Sequence, residues 1–241
     1  MQTIVAKNTD ELSKMFADWL VDYVKETLQK QDRFTISLSG GSTPKKLYQL
    51  LATNEYAGKI DWSKLHIFWG DERFVPFSDD RNNAKMTFEE LLDHVPVNKA
   101  QIHVMRTDLP PDEAVEDYNV KLHQYFDGHA STFDLVMLGL GDDAHTLSLF
   151  PGYPVIAEND AWMSAFYLEE QNMYRITLTK AVVNRSARIA FLVSGAGKVP
   201  ALKSVLYGEK NPEKYPAQVI QPASGELYWF LDEAAAAALN S

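Results

Sequence analysis

Apolar positions along the chain alternate between two rhythms. Short runs at Phe34–Leu38, Leu65–Trp69, 133–140, 174–178, 188–194 and 227–231 have the length and content of buried strands, and a shorter one at 3–6 opens the chain. Between them, apolar residues recur at helical spacing. Leu12, Phe16, Trp19, Leu20 and Tyr23, continuing to Thr27-Leu28, mark one helix face, and Asn8, Thr9 and Asp10 ahead of Glu11 supply capping chemistry at its start. Val115, Tyr118, Leu122 and Tyr125-Phe126 form a second stripe across 112–126. Further helices are expected at 44–51, with Pro44 in the first turn, at 83–92 and at 199–206. The alanine-rich tail, 233–239, favours helix by propensity.

Strands and helices that alternate in this way predict an α/β fold of three layers, α/β/α and Rossmann-like, with a mostly parallel sheet covered by helices on both faces. No internal repeat and no Pro-, Gly- or Ser-rich linker divides the chain, so one domain over 1–241 is expected, with 211–222 as a long surface loop.

Composition narrows the function. Of the 241 residues, 46% are hydrophobic, enough for a sizeable core, and the formal charge of −10 argues against nucleic-acid or anionic-membrane binding. An anionic small molecule is still compatible, because local donors hold such ligands. With no cysteine there is neither a disulfide nor a thiolate site. The opening residues lack the apolar core of a signal peptide and no segment reaches the ~18 apolar residues of a membrane span, so the expected location is cytoplasmic.

In parallel α/β sheets ligands sit beyond the carboxyl ends of the strands, and four strand ends here are polar and glycine-rich. After Leu38 come Ser39, Gly40, Gly41, Ser42 and Thr43, then a helix start: glycines that admit a close ligand, followed by free amides and hydroxyls suited to a phosphate. The same residues also suffice for an ordinary turn and cap. After Trp69 come Gly70, Asp71, Glu72 and Arg73, an arginine fork for an oxyanion and a carboxylate for hydroxyls, or simply a solvated turn with its own ion pair. The apolar run 135–140 ends in Gly-Asp-Asp-Ala-His, placing His145 at a strand end with Asp143 two residues before it. Imidazole backed by a carboxylate is the usual base for activating water at neutral pH, although a capping Asp pair beside a surface histidine would read the same way. No serine or cysteine nucleophile stands beside it, and the other five histidines show no metal-ligand spacing. Arg175 and Lys198, each placed near a strand end, are cations suited to a phosphate dianion.

With these residues in place, the chain resembles the glucosamine-6-phosphate isomerase/6-phosphogluconolactonase family. The resemblance rests on six motifs in order: SLSGGSTPKKLY, FWGDERFVP, NNAKMTFEELL, FDLVMLGLGDDAHTLSLFPG, RITLT and FLVSGAGK. It implies the fold expected above and hydrolysis of 6-phospho-D-glucono-1,5-lactone to 6-phospho-D-gluconate, in the oxidative branch of the pentose phosphate pathway, with no required cofactor and no metal. It implies His145 as general base on water with Asp143 behind it, and Gly40, Gly41, Ser42 and Thr43 around the phosphate with Arg175 and Lys198. Arg73 then lies against phosphate or lactone carbonyl, and Asp71 and Asn83 face the sugar hydroxyls. Arg73 or a backbone amide near Gly141 is expected to face the developing oxyanion. The expected partner is the phosphorylated lactone alone, with no nucleic acid and no membrane, in a monomer or weak homodimer.

Two departures from the family pattern matter. Members usually have glycine just before the histidine, where this chain has Ala144, so Ala144 is expected to hold an ordinary negative φ. The Ser-Asn pair after the GDER segment is here Asn82-Asn83, which leaves position 82 without an assigned role. Two other readings stay open. A glucosamine-6-phosphate deaminase carries glutamate just before the closing Pro-Gly, where this chain has Phe150. A non-catalytic sugar-phosphate sensor usually carries an additional partner-binding segment, for which no residues are spare.

Overall fold

A computed structural model describes residues 1–240 of the chain. In chain order the strands are β1 (Gln2–Ala6), β2 (Phe34–Leu38), β3 (Leu65–Trp69), β4 (Asp71–Arg73), β5 (Leu135–Leu138), β6 (Met163–Leu168), β7 (Met173–Leu178), β8 (Arg188–Val193) and β9 (Glu226–Asp232). The helices are α1 (Thr9–Leu28), α2 (Ser42–Leu51), α3 (Asn54–Ala57), α4 (Asn83–Thr87), α5 (Pro111–Phe126), α6 (Lys180–Val183), α7 (Val199–Leu206) and α8 (Glu233–Ala236). Six strands form a parallel sheet in the order β1-β9-β8-β5-β2-β3. Every residue of β2 and β5 is buried, as a strand covered on both faces requires.

Alternation along the strands places the helices. Phe34 pairs with Leu65 and Ser37 with Phe68, so Phe34 and Phe68 point to opposite faces. Phe34 packs on Tyr23 of α1, and Phe68 packs on Tyr118 and Phe126 of α5. The sheet therefore carries helices on both sides, as expected. Asn8 caps α1 through its side-chain oxygen, which accepts the amides of Asp10 and Glu11.

A second sheet was not foreseen. β4, β7 and β6 form an antiparallel sheet beside the first, with Asp71 opposite Thr177 and Arg73 opposite Arg175. One residue, Gly70, separates β3 from β4 and belongs to both sheets: its amide donates to Leu38 O at 3.0 Å and its carbonyl accepts from Leu178 N at 2.8 Å. Arg175 is accordingly an interior residue of β7, 3% exposed, rather than the opening of a strand.

Beside β3 lies a half-buried polar chain. Gln101 Nε2 donates to Ser63 O (2.8 Å) and to His66 Nε2 (3.0 Å), which leaves His66 Nδ1–H to donate to the Tyr125 hydroxyl at 2.7 Å. The hydroxyl in turn donates to His103 Nε2 at 2.8 Å. Burial, aided by repulsion from His66 and Lys121, pushes His103 from 6.5 down to about 4, and burial likewise lowers His66. In the unfolded chain both rings take a proton near 6.5; in the folded chain His103 stays neutral until about 4. Their stabilisation is thus complete above pH ~6.5 and lost as pH falls toward ~4, about 1–2 kcal/mol after discounting for residual solvent. Urea unfolding of a His103→Asn variant is expected to depend less on pH between 4 and 6.5 than unfolding of the parent. Parallel pH profiles for the two would refute this account.

Candidate active site

The carboxyl ends of β2, β3, β5 and β8 converge on one cleft of about 250 Å³. Among the described residues its walls include Gly40, Gly41, Asp71, Arg73, Asn83, Gly141, His145, Arg175 and Lys198. Eight of the eleven residues singled out in the sequence line it; Ser42, Thr43 and Asp143 stand just behind. A larger cavity, about 580 Å³, lies at the amino ends of β2 and β5, but Asp134 there is already engaged by Thr35 and Gln31.

Gly41 forms the turn before α2 with φ 108°, a region open to glycine, and its carbonyl accepts from Lys45 N at 3.0 Å. Ser42 and Thr43 supply the first amides of α2, which have no acceptor within the helix. Pro44 follows and brings no amide of its own. The Thr43 hydroxyl meets Ser194 Oγ at 3.0 Å, tying this turn to the end of β8.

Strand β4 supplies the opposite wall. Asp71 is buried, and its Oδ2 accepts from Ser148 Oγ at 2.6 Å and Arg175 NH2 at 2.7 Å. Burial alone would raise its pKa, but the charges of Arg175 and Arg73, with the Ser148 and Arg175 hydrogen bonds, hold it below 3.8. Arg175 also donates to Gln171 Oε1 at 3.0 Å, while its buried Nε has no hydrogen-bond partner among the described residues. Burial lowers the guanidinium pKa, against the pull of Asp71. Arg73 donates to Asn83 Oδ1 at 2.8 Å and to Arg81 O at 3.0 Å, and Asn83 Nδ2 reaches Asp71 O at 3.1 Å. Both ends of the Asn83 amide therefore organise the protein itself. Asn82 has a plain role: it caps α4 by accepting from Lys85 N at 2.8 Å. Glu72, absent from the sequence reading as a site residue, accepts the amides of Arg73, Asn83 and Ala84 at 2.8, 2.7 and 2.9 Å. Burial nonetheless pushes its carboxyl up to about 7.

The third wall is the segment after β5. Asp143 Oδ1 lies 2.5 Å from His145 Nδ1 and also accepts the His145 amide at 3.1 Å. The Asp143 pKa would rise on burial, yet the bond and charge of His145 bring it below 3.8. This contact assigns the imidazole Nδ1–H to Asp143 and leaves Nε2 without a hydrogen-bond partner among the described residues. Gly141 has no room for a side chain: a Cβ there would sit 2.0 Å from His145 Nδ1 and 2.6 Å from Asp143 Oδ1. Its amide donates to His145 O at 2.8 Å, so it is not free to face an oxyanion.

The expectation for Ala144 fails. Its φ is +65°, the left-handed region, where a Cβ costs about 1–2 kcal/mol. The surrounding bonds impose that geometry: Gly141 N to His145 O, Ala144 N to Gly141 O at 3.1 Å, and Ala217 N to Ala144 O at 2.9 Å. Leu147, three residues on, is also left-handed, at φ 55°.

At the mouth, Lys198 Nζ pairs with Asp142 Oδ1 at 2.6 Å. Asp142 is 81% exposed and Lys198 29%, so this pair is screened and open to competition from an incoming anion. Among the described residues no group of three or more His, Asp or Glu side chains is arranged to hold a metal ion.

The whole is an α/β protein with a polar cleft beyond the carboxyl ends of its parallel strands, walled by a histidine that an aspartate backs and by three cations. The chain belongs to the family of glucosamine-6-phosphate isomerases/6-phosphogluconolactonase, whose model matches residues 7–229. It is 39% identical over 216 residues to the 6-phosphogluconolactonase of Synechocystis sp., covering 88% of this chain and 87% of that one. It is 38% identical over 212 residues to the human 6-phosphogluconolactonase, covering 86% and 81%. Among solved structures, the 6-phosphogluconolactonase of Trypanosoma brucei superposes with a TM-score of 0.85 at 26% identity, over 99% of this chain and 98% of the other. A monomeric glucosamine-6-phosphate deaminase shares the fold, with a TM-score of 0.84 at 18% identity over 99% and 100% of the two chains.

Proposed function

We propose that this chain hydrolyses 6-phospho-D-glucono-1,5-lactone to 6-phospho-D-gluconate, with His145 activating water. The observation that carries this is the Asp143–His145 pair opening onto the cleft that also contains the Gly40-Gly41 turn and Lys198. The named lactonase relatives, similar over most of the chain, support the substrate.

The phosphate rests at the amino end of α2, near Gly41 and the amides of Ser42 and Thr43, with Lys198 as counter-ion once it leaves Asp142. This anchoring orients the lactone carbonyl toward His145. Nε2 takes a proton from water as its oxygen bonds to C1, and Arg73 faces the charge that develops on the carbonyl oxygen. Collapse of the tetrahedral intermediate breaks the bond from C1 to the ring oxygen, which receives the proton held on Nε2. Arg175, already paired with Asp71, adds positive field at the wall.

Phe150 separates this reading from the deaminase, because ring opening and isomerisation of an amino sugar need a carboxylate that this position lacks. A time course of freshly generated lactone, followed by NMR, is expected to show opening much faster than the spontaneous reaction, and glucosamine 6-phosphate to yield no ammonia. Opening at the spontaneous rate, or release of ammonia, would overturn the assignment.

A further inference from the structure

We infer that Phe150 is a positioning residue for the His145 imidazole, fixing the plane of the ring and supporting its charge once it is protonated; this rests on the reading of His145 as base. Phe150 is 7% exposed, yet it lies outside the contiguous apolar core. Its ring instead stacks on the His145 imidazole, with centroids 4.2 Å apart and planes inclined by 29°. The Arg175 guanidinium carbon lies 5.4 Å from the same ring centroid. A large apolar side chain placed against an imidazole and a guanidinium serves those two groups more than it serves the core.

The Asp143 contact holds one nitrogen of the imidazole and leaves the ring free to swing about that contact. A flat face at 4.2 Å removes the remaining freedom. The face of an aromatic ring is also electron-rich, so it attracts an imidazolium more than a neutral imidazole. The contact therefore strengthens as the proton moves from water to Nε2, which is the kind of interaction that raises kcat rather than affinity. Phe150 is itself held in place: its carbonyl accepts from Tyr153 N at 3.2 Å, and Gly152 N donates to Glu213 O at 3.1 Å.

The test compares Phe150→Leu, similar in bulk but with no face, against Phe150→Tyr, which keeps the face. Leucine is expected to lower kcat about tenfold with KM unchanged, and tyrosine to restore it. Added to His145→Ala, Phe150→Leu is expected to have no further effect. In proton NMR of the unaltered protein, the His145 Hε1 resonance, assigned by its loss in His145→Ala, is expected upfield of that of exposed His129, and to move downfield in Phe150→Leu. An unshifted His145 resonance overturns the proposal even if the leucine variant does not fold. So does a leucine variant with parental kcat, or one that raises KM alone, or a tyrosine variant no better than leucine. If the base assignment is what fails, His145→Ala stays active while the upfield shift persists, so the two failures are distinguishable.

Discussion

His145→Ala is expected to lower kcat for the lactone by about 10²–10⁴-fold, the usual contribution of a placed general base. The substrate is an activated ester, so the variant is compared with the spontaneous reaction under the same buffer, and some acceleration from phosphate anchoring and Arg73 should remain. Binding of 6-phospho-D-gluconate should persist, because the ring nitrogen that acts on water makes no contact needed to hold the phosphate. Asp143→Asn is a milder perturbation of the same unit: an amide can turn its NH₂ toward Nδ1 and favour the wrong tautomer, so Nε2 would carry the proton it should accept. Full activity in His145→Ala would end the assignment of His145 as base.

Asp71→Asn is expected to destabilise the fold by about 3–5 kcal/mol, because it removes the carboxylate paired with a buried arginine. Arg175 is 4% exposed at its side chain and Asp71 9%, so water cannot take over the lost contact. For a chain of this size the change corresponds to a fall in Tm of roughly 6–20 °C. Arg73 lies in register with Arg175 across β4 and β7, so loss of the carboxylate leaves two cations in neighbouring rows. Replacing both partners by apolar residues, in Asp71→Leu with Arg175→Met, should recover much of the stability, since a buried ion pair and an apolar pair of similar size are close in free energy. Activity should not return with it. Calorimetry of the single variant decides: a loss under about 1 kcal/mol would mean that the pair is far more solvated than its burial indicates.

The central sheet is legible in the sequence because strands covered on both faces must be almost wholly apolar, and β2, β3, β5 and β8 are close to that pattern. β4 is not, since Asp71-Glu72-Arg73 has no apolar position to betray a strand; its partner in β7 lies about a hundred residues away. β6 alternates weakly and is half-exposed over most of its length. The site shows the same division. His145 is readable because a lone imidazole after an apolar run stands out against the composition around it. The handedness of Ala144 is not readable in the alanine itself, because one of the bonds that impose it comes from Ala217, far along the chain; the glycine usual at this position in the family was the signal that carried it. Glu72 escaped because its acceptors' duties, three backbone amides, leave no trace in residue type. Lys198 is readable as a cation at a strand end, but its resting partner Asp142 was hidden beside the more conspicuous Asp143.

Gly70 shares its amide with one sheet and its carbonyl with the other, so the wall bearing Arg73 and the turn at Gly41 have no joint between them. On the proposed reading, the span from the phosphate at that turn to Arg73, which faces the carbonyl oxygen, is then a ruler of set length. A lactone one carbon shorter or longer between its phosphate and its carbonyl would overshoot or fall short of the reacting position, and selection among such sugars would follow from reach, with no need for a group that inspects each hydroxyl.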